Sequence, residues 1–146
     1  MQATADGVVL GNRWKTHLLL SRDGISRRLG VGALEAFAWE EIEGITLHVP
    51  TSRFRFPGVA ARAISVPVRL LNLEMWDLEP PSGAVDVTAG GEQYRLDIDR
   101  HHFGGYWHLQ IIATQQMLDR LLADPGMREL LDDPGRMLDS VARMTR

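Results

Sequence analysis

Through the first hundred residues, apolar and polar positions change places with a period close to two, the signature of half-buried strands. Trp14 to Leu20 and Ile25 to Leu29 are two such runs, separated by Arg22-Asp23-Gly24. Asp-Gly between short strands predicts a hairpin, with Gly24 supplying a positive φ and a loop of two or three residues. Residues 1–11 are small and polar and read as a loose arm. Farther on, Ile45, Leu47 and Val49 alternate with Thr46 and His48 before Pro50 ends the run. Ile64, Val66 and Val68 form another, with Pro67 arguing for an edge strand or a bulge. Leu71, Leu73 and Met75 follow, and Pro80-Pro81-Ser82-Gly83 then breaks the chain. Val85 and Val87, a Gly90-Gly91 turn, and Tyr94, Leu96 and Ile98 complete the set. The pattern predicts about seven short strands with no helix among them.

After His102 the period lengthens. Trp107, Ile111, Thr114, Leu118 and Leu121 recur at helical spacing, which predicts one amphipathic helix over about 104–123. At about 1.5 Å per residue it is roughly 30 Å long, enough to cover one end of a small barrel. Asp124-Pro125 and Asp133-Pro134 each read as an N-cap followed by proline in the first turn. Two shorter helices are therefore predicted, near 125–132 and 134–144. The predicted fold class is α+β, mostly β: an antiparallel barrel or sandwich capped by a C-terminal helix, with short extra helices behind it. The expected organisation is one domain over 12–123 and a helical extension over 124–146.

Composition narrows the chemistry. An apolar fraction of 45% with 24% charged residues argues for a packed core over wholesale disorder. There is no cysteine, which removes disulfides, zinc–thiolate sites and thiol nucleophiles together. No apolar run approaches the roughly 20 residues needed to cross a bilayer. The N-terminus lacks the basic start and apolar core of a secretory signal. The expected location is the cytoplasm, free or peripheral at the inner face of the membrane. Among the basic residues Lys15 is the one lysine and the rest are arginine. Residues 1–70 hold nine basic against six acidic side chains, whereas 71–146 hold seven against thirteen. Such a split describes a dipolar molecule able to orient on a surface or partner.

The order of elements carries a resemblance. Leu18-Leu19-Leu20-Ser21-Arg22-Asp23-Gly24-Ile25, followed by Ala38-Trp39-Glu40-Glu41-Ile42-Glu43-Gly44-Ile45, resembles the first hairpin and the W-x-x-I-x-x-I entry to the third strand of bacterial pleckstrin-homology-like (PH-like) domains. The long helix beginning near Trp107 adds to it. The likeness covers roughly residues 12–123 and implies a binding or assembly module more than a catalyst. The helices after 124 lie outside the family pattern. Relatives that bind phosphoinositides use basic residues on the first two strands and the loop between them. By that resemblance the positions here are Lys15, Arg22, Arg27 and Arg28, with Arg13 nearby, although the spaced K…R-x-R pattern is missing.

Arg53-Phe54-Arg55-Phe56 alternates cation and aromatic, which suits interfacial lipid contact or a partner groove if extended; the competing expectation is that the phenylalanines fold into the core. Asp97, Asp99, His101, His102 and His108 gather at the strand-to-helix junction. Their spacing fits a polar, helix-capping junction better than a metal site, so no metal or other cofactor is expected. Neither Gly104-Gly105 nor Gly30-Val31-Gly32 belongs to a dinucleotide fingerprint or a P-loop, which argues against nucleotide binding. An acidic isoelectric point near 5.9 and the lack of a basic stripe argue against nucleic acid. Met127, Leu130, Leu131, Leu138 and Val141 give the tail an adaptable apolar face for a protein partner or a second copy, unless it packs on the domain itself. The expected function is a non-enzymatic PH-like interaction or assembly module. The alternative is peripheral binding to anionic membranes through Arg13, Lys15, Arg22, Arg27, Arg28 and the Arg53–Phe56 loop.

Overall fold

The structure, a computed structural model, describes residues 1–52, 83–99 and 106–144. It is an α+β arrangement in which antiparallel strands come first and helices last. Strands β1 (Gln2–Thr4), β2 (Gly7–Gly11), β3 (Thr16–Leu20), β4 (Gly24–Leu29) and β5 (Gly32–Ala38) pair with their neighbours in chain order as one five-stranded meander. A 3₁₀ turn, Trp39–Glu41, leads into β6 (Ile42–His48), which pairs with β8 (Gly83–Ala89) and through it with β9 (Glu92–Ile98). Two-residue strands β7 (Thr51–Ser52) and β10 (Tyr106–Trp107) pair in parallel. Helices α1 (His108–Ala123), α2 (Pro125–Arg128) and α3 (Pro134–Met144) follow, with a 3₁₀ turn, Glu129–Asp132, between the last two. Neither antiparallel sheet closes on itself among the described residues. The strands predicted over 62–68 and 71–76 lie outside the described residues.

Residues 1–11 form the β1–β2 hairpin and not the expected loose arm. Val8, Val9 and Leu10 are all buried. With both faces of β2 covered, the strand reads as a short apolar run without alternation, so its period was silent. The hairpin at Asp23-Gly24 is present, with a two-residue loop: Ser21 and Gly24 exchange backbone hydrogen bonds and Leu20 faces Ile25. Gly24 is not there for a positive φ. A Cβ at this position would collide with the Phe37 carbonyl oxygen of β5, so glycine lets two strands approach. Gly90 and Gly91 do take left-handed φ values, 59° and 77°, as a tight β8–β9 turn demands.

One core joins all of these parts. Val8, Leu10, Leu18, Leu20 and Ile25 from the first sheet meet Ile45, Val85, Val87 and Leu96 from the second. Trp39, Ile42 and Ile45, the three positions of the W-x-x-I-x-x-I run, are 1%, 6% and 6% exposed, so this spacing is a core spacing. The Trp39 indole N–H donates to the Ser21 carbonyl at 2.9 Å, satisfying its polar edge. Helix α1 closes the core with Ala113, Met117, Leu118 and Leu121. Its Gln115 side chain acts as a short surrogate strand along β6, donating to the Ile45 carbonyl at 2.8 Å and accepting from the Leu47 N–H at 2.9 Å. Asp124 and Asp133 perform the predicted capping: their carboxylates accept from the Gly126 and Arg136 N–H groups.

Candidate functional site

The basic positions on the first sheet separate into two groups. Arg22, in the β3–β4 turn, donates to the Asp132 carboxylate at 2.9 Å and lies 3.8 Å from Glu129. Arg27, whose neighbour on the same sheet face is the core residue Leu18, is ion-paired with Glu35 of β5 at 2.9 Å. Both guanidiniums are therefore matched with carboxylates of the same chain. Arg28 faces the other way, as adjacency on a strand requires, and donates to the Ser26 hydroxyl at 3.2 Å. Arg13 and Lys15 are exposed in the β2–β3 loop. Arg13, Lys15 and Arg28 have no carboxylate partner among the described residues.

The end of the sheet that carries these three cations also exposes apolar side chains that sequence reasoning did not single out. Trp14 is 76% exposed, Val31 98%, Leu29 57% and Leu34 51%. Two loops bring them together. Thr16 pairs with Leu29 across β3 and β4, and the Gly30 N–H donates to the Lys15 carbonyl, so the 12–16 loop and the 30–31 turn sit at one end of the sheet. The loop is held by short-range bonds: Asn12 accepts from the Trp14 N–H through its side chain and from the Lys15 N–H through its carbonyl. Arg13 stacks its guanidinium 4.6 Å from the Trp14 ring. Asp99 reaches the same loop, but its carboxylate accepts the Thr16 N–H at 3.0 Å. The available signal in the sequence was Val31 between Gly30 and Gly32, an apolar residue where a turn would ordinarily be polar.

The helical tail has a different use from the one expected of a docking face. Leu131 and Val141 are buried, at 2% and 3% exposure, in the chain's own core. Met127, Leu130 and Leu138 are half-buried against that core. Arg53, Phe54, Arg55 and Phe56 lie outside the described residues. So do His101 and His102; among the described residues no three histidine, aspartate or glutamate side chains converge as a metal would require. On the outer face of the second sheet His48 meets Asp86 at 3.0 Å, with Arg95 4.0 Å from the same carboxylate, a cross-strand charge ladder. No described helix is long and apolar enough to cross a membrane.

No protein-family model, curated protein or solved structure matches this chain.

Proposed function

We propose that this chain is a non-catalytic, PH-like interaction module whose ligand surface is an anionic membrane, met by the tip of the first sheet. The observation that carries this reading is that end of the first sheet: Trp14, Leu29, Val31 and Leu34 are exposed in the 12–16 loop and about the β4–β5 turn, where the exposed Arg13 and Lys15 and the half-buried Arg28 also lie. An aromatic ring and aliphatic side chains enter the headgroup boundary while cations stay among the phosphates, the division of labour of peripheral membrane contacts. The expected docking role of Met127, Leu130, Leu131, Leu138 and Val141 loses its support, because those side chains already pack on their own domain. Arg22 and Arg27 leave the binding set for the same reason: their charges are matched internally.

Co-sedimentation with phosphatidylcholine vesicles, with and without phosphatidylserine, tests the reading. Binding is expected only to the anionic vesicles and is expected to weaken steeply with salt. Replacing Arg13 and Lys15 together by glutamine removes about 2 kcal/mol, at ~1 kcal/mol per basic residue near an anionic surface, or roughly 30-fold in affinity. Val31→Asp is expected to abolish pelleting without altering thermal stability, since Val31 touches little of its own fold. Equal absence from both pellets at low salt would overturn the proposal.

A further inference from the structure

A cavity of about 260 Å³ lies where β2, β6, β9, α1 and α3 meet. Its floor is Leu10, Ile98, Thr114 and Val141, none more than 4% exposed. Its rim includes Gln110 and Ala142, both exposed, so the space opens to solvent at one side. Packed interiors seldom contain voids much larger than a water molecule, and an apolar cavity of about 150 Å³ is enough to admit benzene. The space here is larger, though somewhat below the ~300–1,000 Å³ common for drug-sized ligands.

The lining sets the chemistry. No charged side chain contributes to it, and most of its walls are aliphatic. The one polar group on the floor, the Thr114 hydroxyl, already donates to the Gln110 carbonyl at 2.7 Å. Met1 also lines the space, with its Sδ 3.7 Å from the Thr114 hydroxyl and its α-ammonium largely buried, so that desolvation lowers its pKa. At the rim, the solvent-facing Gln110 amide offers both a donor and an acceptor. We infer that this cavity binds one small amphiphile, its apolar body on the Leu10–Ile98–Val141 floor and its hydrogen-bonding head at Gln110. This is a function separate from membrane contact, and it stands or falls without vesicles.

The test is calorimetric titration of the full chain with the n-alkanols from butanol to decanol. Saturable one-to-one binding is expected, gaining about fourfold per methylene while each is fully buried, then levelling once the cavity is full. Ile111→Trp, which fills the space from α1, is expected to remove binding. Ala142→Leu narrows the exposed rim and serves the same purpose if the tryptophan variant fails to fold. No saturable binding at any length, or undiminished binding in both variants, would overturn the assignment.

Discussion

Arg128, at the end of α2, ties the tail to the 3₁₀ turn between the two sheets, and its removal can be costed from its contacts. The side chain is 12% exposed. Its Nε donates to the Leu121 carbonyl at 2.9 Å, one of the orphan acceptors at the C-terminal end of α1. Its guanidinium lies 5.5 Å from the Trp39 ring, and Nη1 meets Glu40 at 2.7 Å. The bond to Leu121 from a charged donor contributes about 1.5–3 kcal/mol. The stacked cation adds ~0.5 kcal/mol at that distance, and the Glu40 pair adds between about 0 and 1 kcal/mol, because that carboxylate is 74% exposed. Arg128→Met, which keeps the apolar stem, is therefore expected to destabilise by about 3 kcal/mol, lowering Tm by roughly 10 °C. Glu40→Gln is expected to cost under ~0.5 kcal/mol. Urea and thermal unfolding, followed by far-UV circular dichroism and tryptophan fluorescence, measure both. A loss below ~1 kcal/mol for Arg128→Met, or an equal loss for Glu40→Gln, would refute the reasoning. Separate transitions for the two probes would show that tail and sheet do not unfold as one unit.

Two further outcomes rest on local geometry. Gly7 has φ +137°, and a Cβ there would collide with the Leu20 carbonyl oxygen, so Gly7→Ala is expected to cost about 3 kcal/mol by denaturant titration. Gly90→Asn, at φ +59° with open space around it, is expected to stay within ~0.5 kcal/mol; a comparable cost at both positions would contradict this account. Tyr94 donates its hydroxyl to Glu92 at 2.9 Å, and that hydrogen bond, reinforced by repulsion between carboxylate and phenolate, raises its pKa above the ordinary tyrosine value. The neutral phenol is favoured by the fold, so its contribution to stability is full below the unfolded pKa and is lost as pH rises through the folded one. Alkaline absorbance titration should show Glu92→Gln lowering this pKa, and an unchanged value would rule out the pairing.

The readable parts of the fold are those whose cause is local. Asp124 and Asp133 cap helices whose first residues they immediately precede, and Gly90-Gly91 turns two strands that adjoin it. Trp39, Ile42 and Ile45 were legible as a run, and the structure makes that run a core. Elsewhere the cause is distant. Gly24 is needed because of Phe37, a contact that appears only after β5 returns alongside β4. β2 was missed because burial on both faces erases alternation, and β1 because its three residues, none of them buried, are too few to show a period. Helix α1 begins at His108, later than expected, because Tyr106 and Trp107 pair as a strand with Thr51 and Ser52. For the candidate surface, Arg13, Lys15 and Arg28 were legible as cations, but the fate of Arg22 was not. Its partner Asp132 lies 110 residues away, beyond any local pattern.

That pairing also changes the meaning of the charge split between the two halves of the chain. A basic first half and an acidic second half suggest a dipole directed at an external partner. Part of that complementarity is satisfied inside the molecule, where Arg22 meets Glu129 and Asp132, and Arg128 returns the exchange with Glu40. These contacts lie around the β3–β4 turn and the 3₁₀ turn beside it. The other end of the same hairpin, where Thr16 faces Leu29, is roughly 15 Å away along a five-residue strand. There the cations keep no acidic partner among the described residues, and the apolar side chains beside them stay uncovered. The tail thus neutralises one end of the hairpin and leaves the other end amphiphilic. This asymmetry gives the proposed membrane contact a direction: the tip faces the lipid, and the β3–β4 turn with α2 beside it faces away.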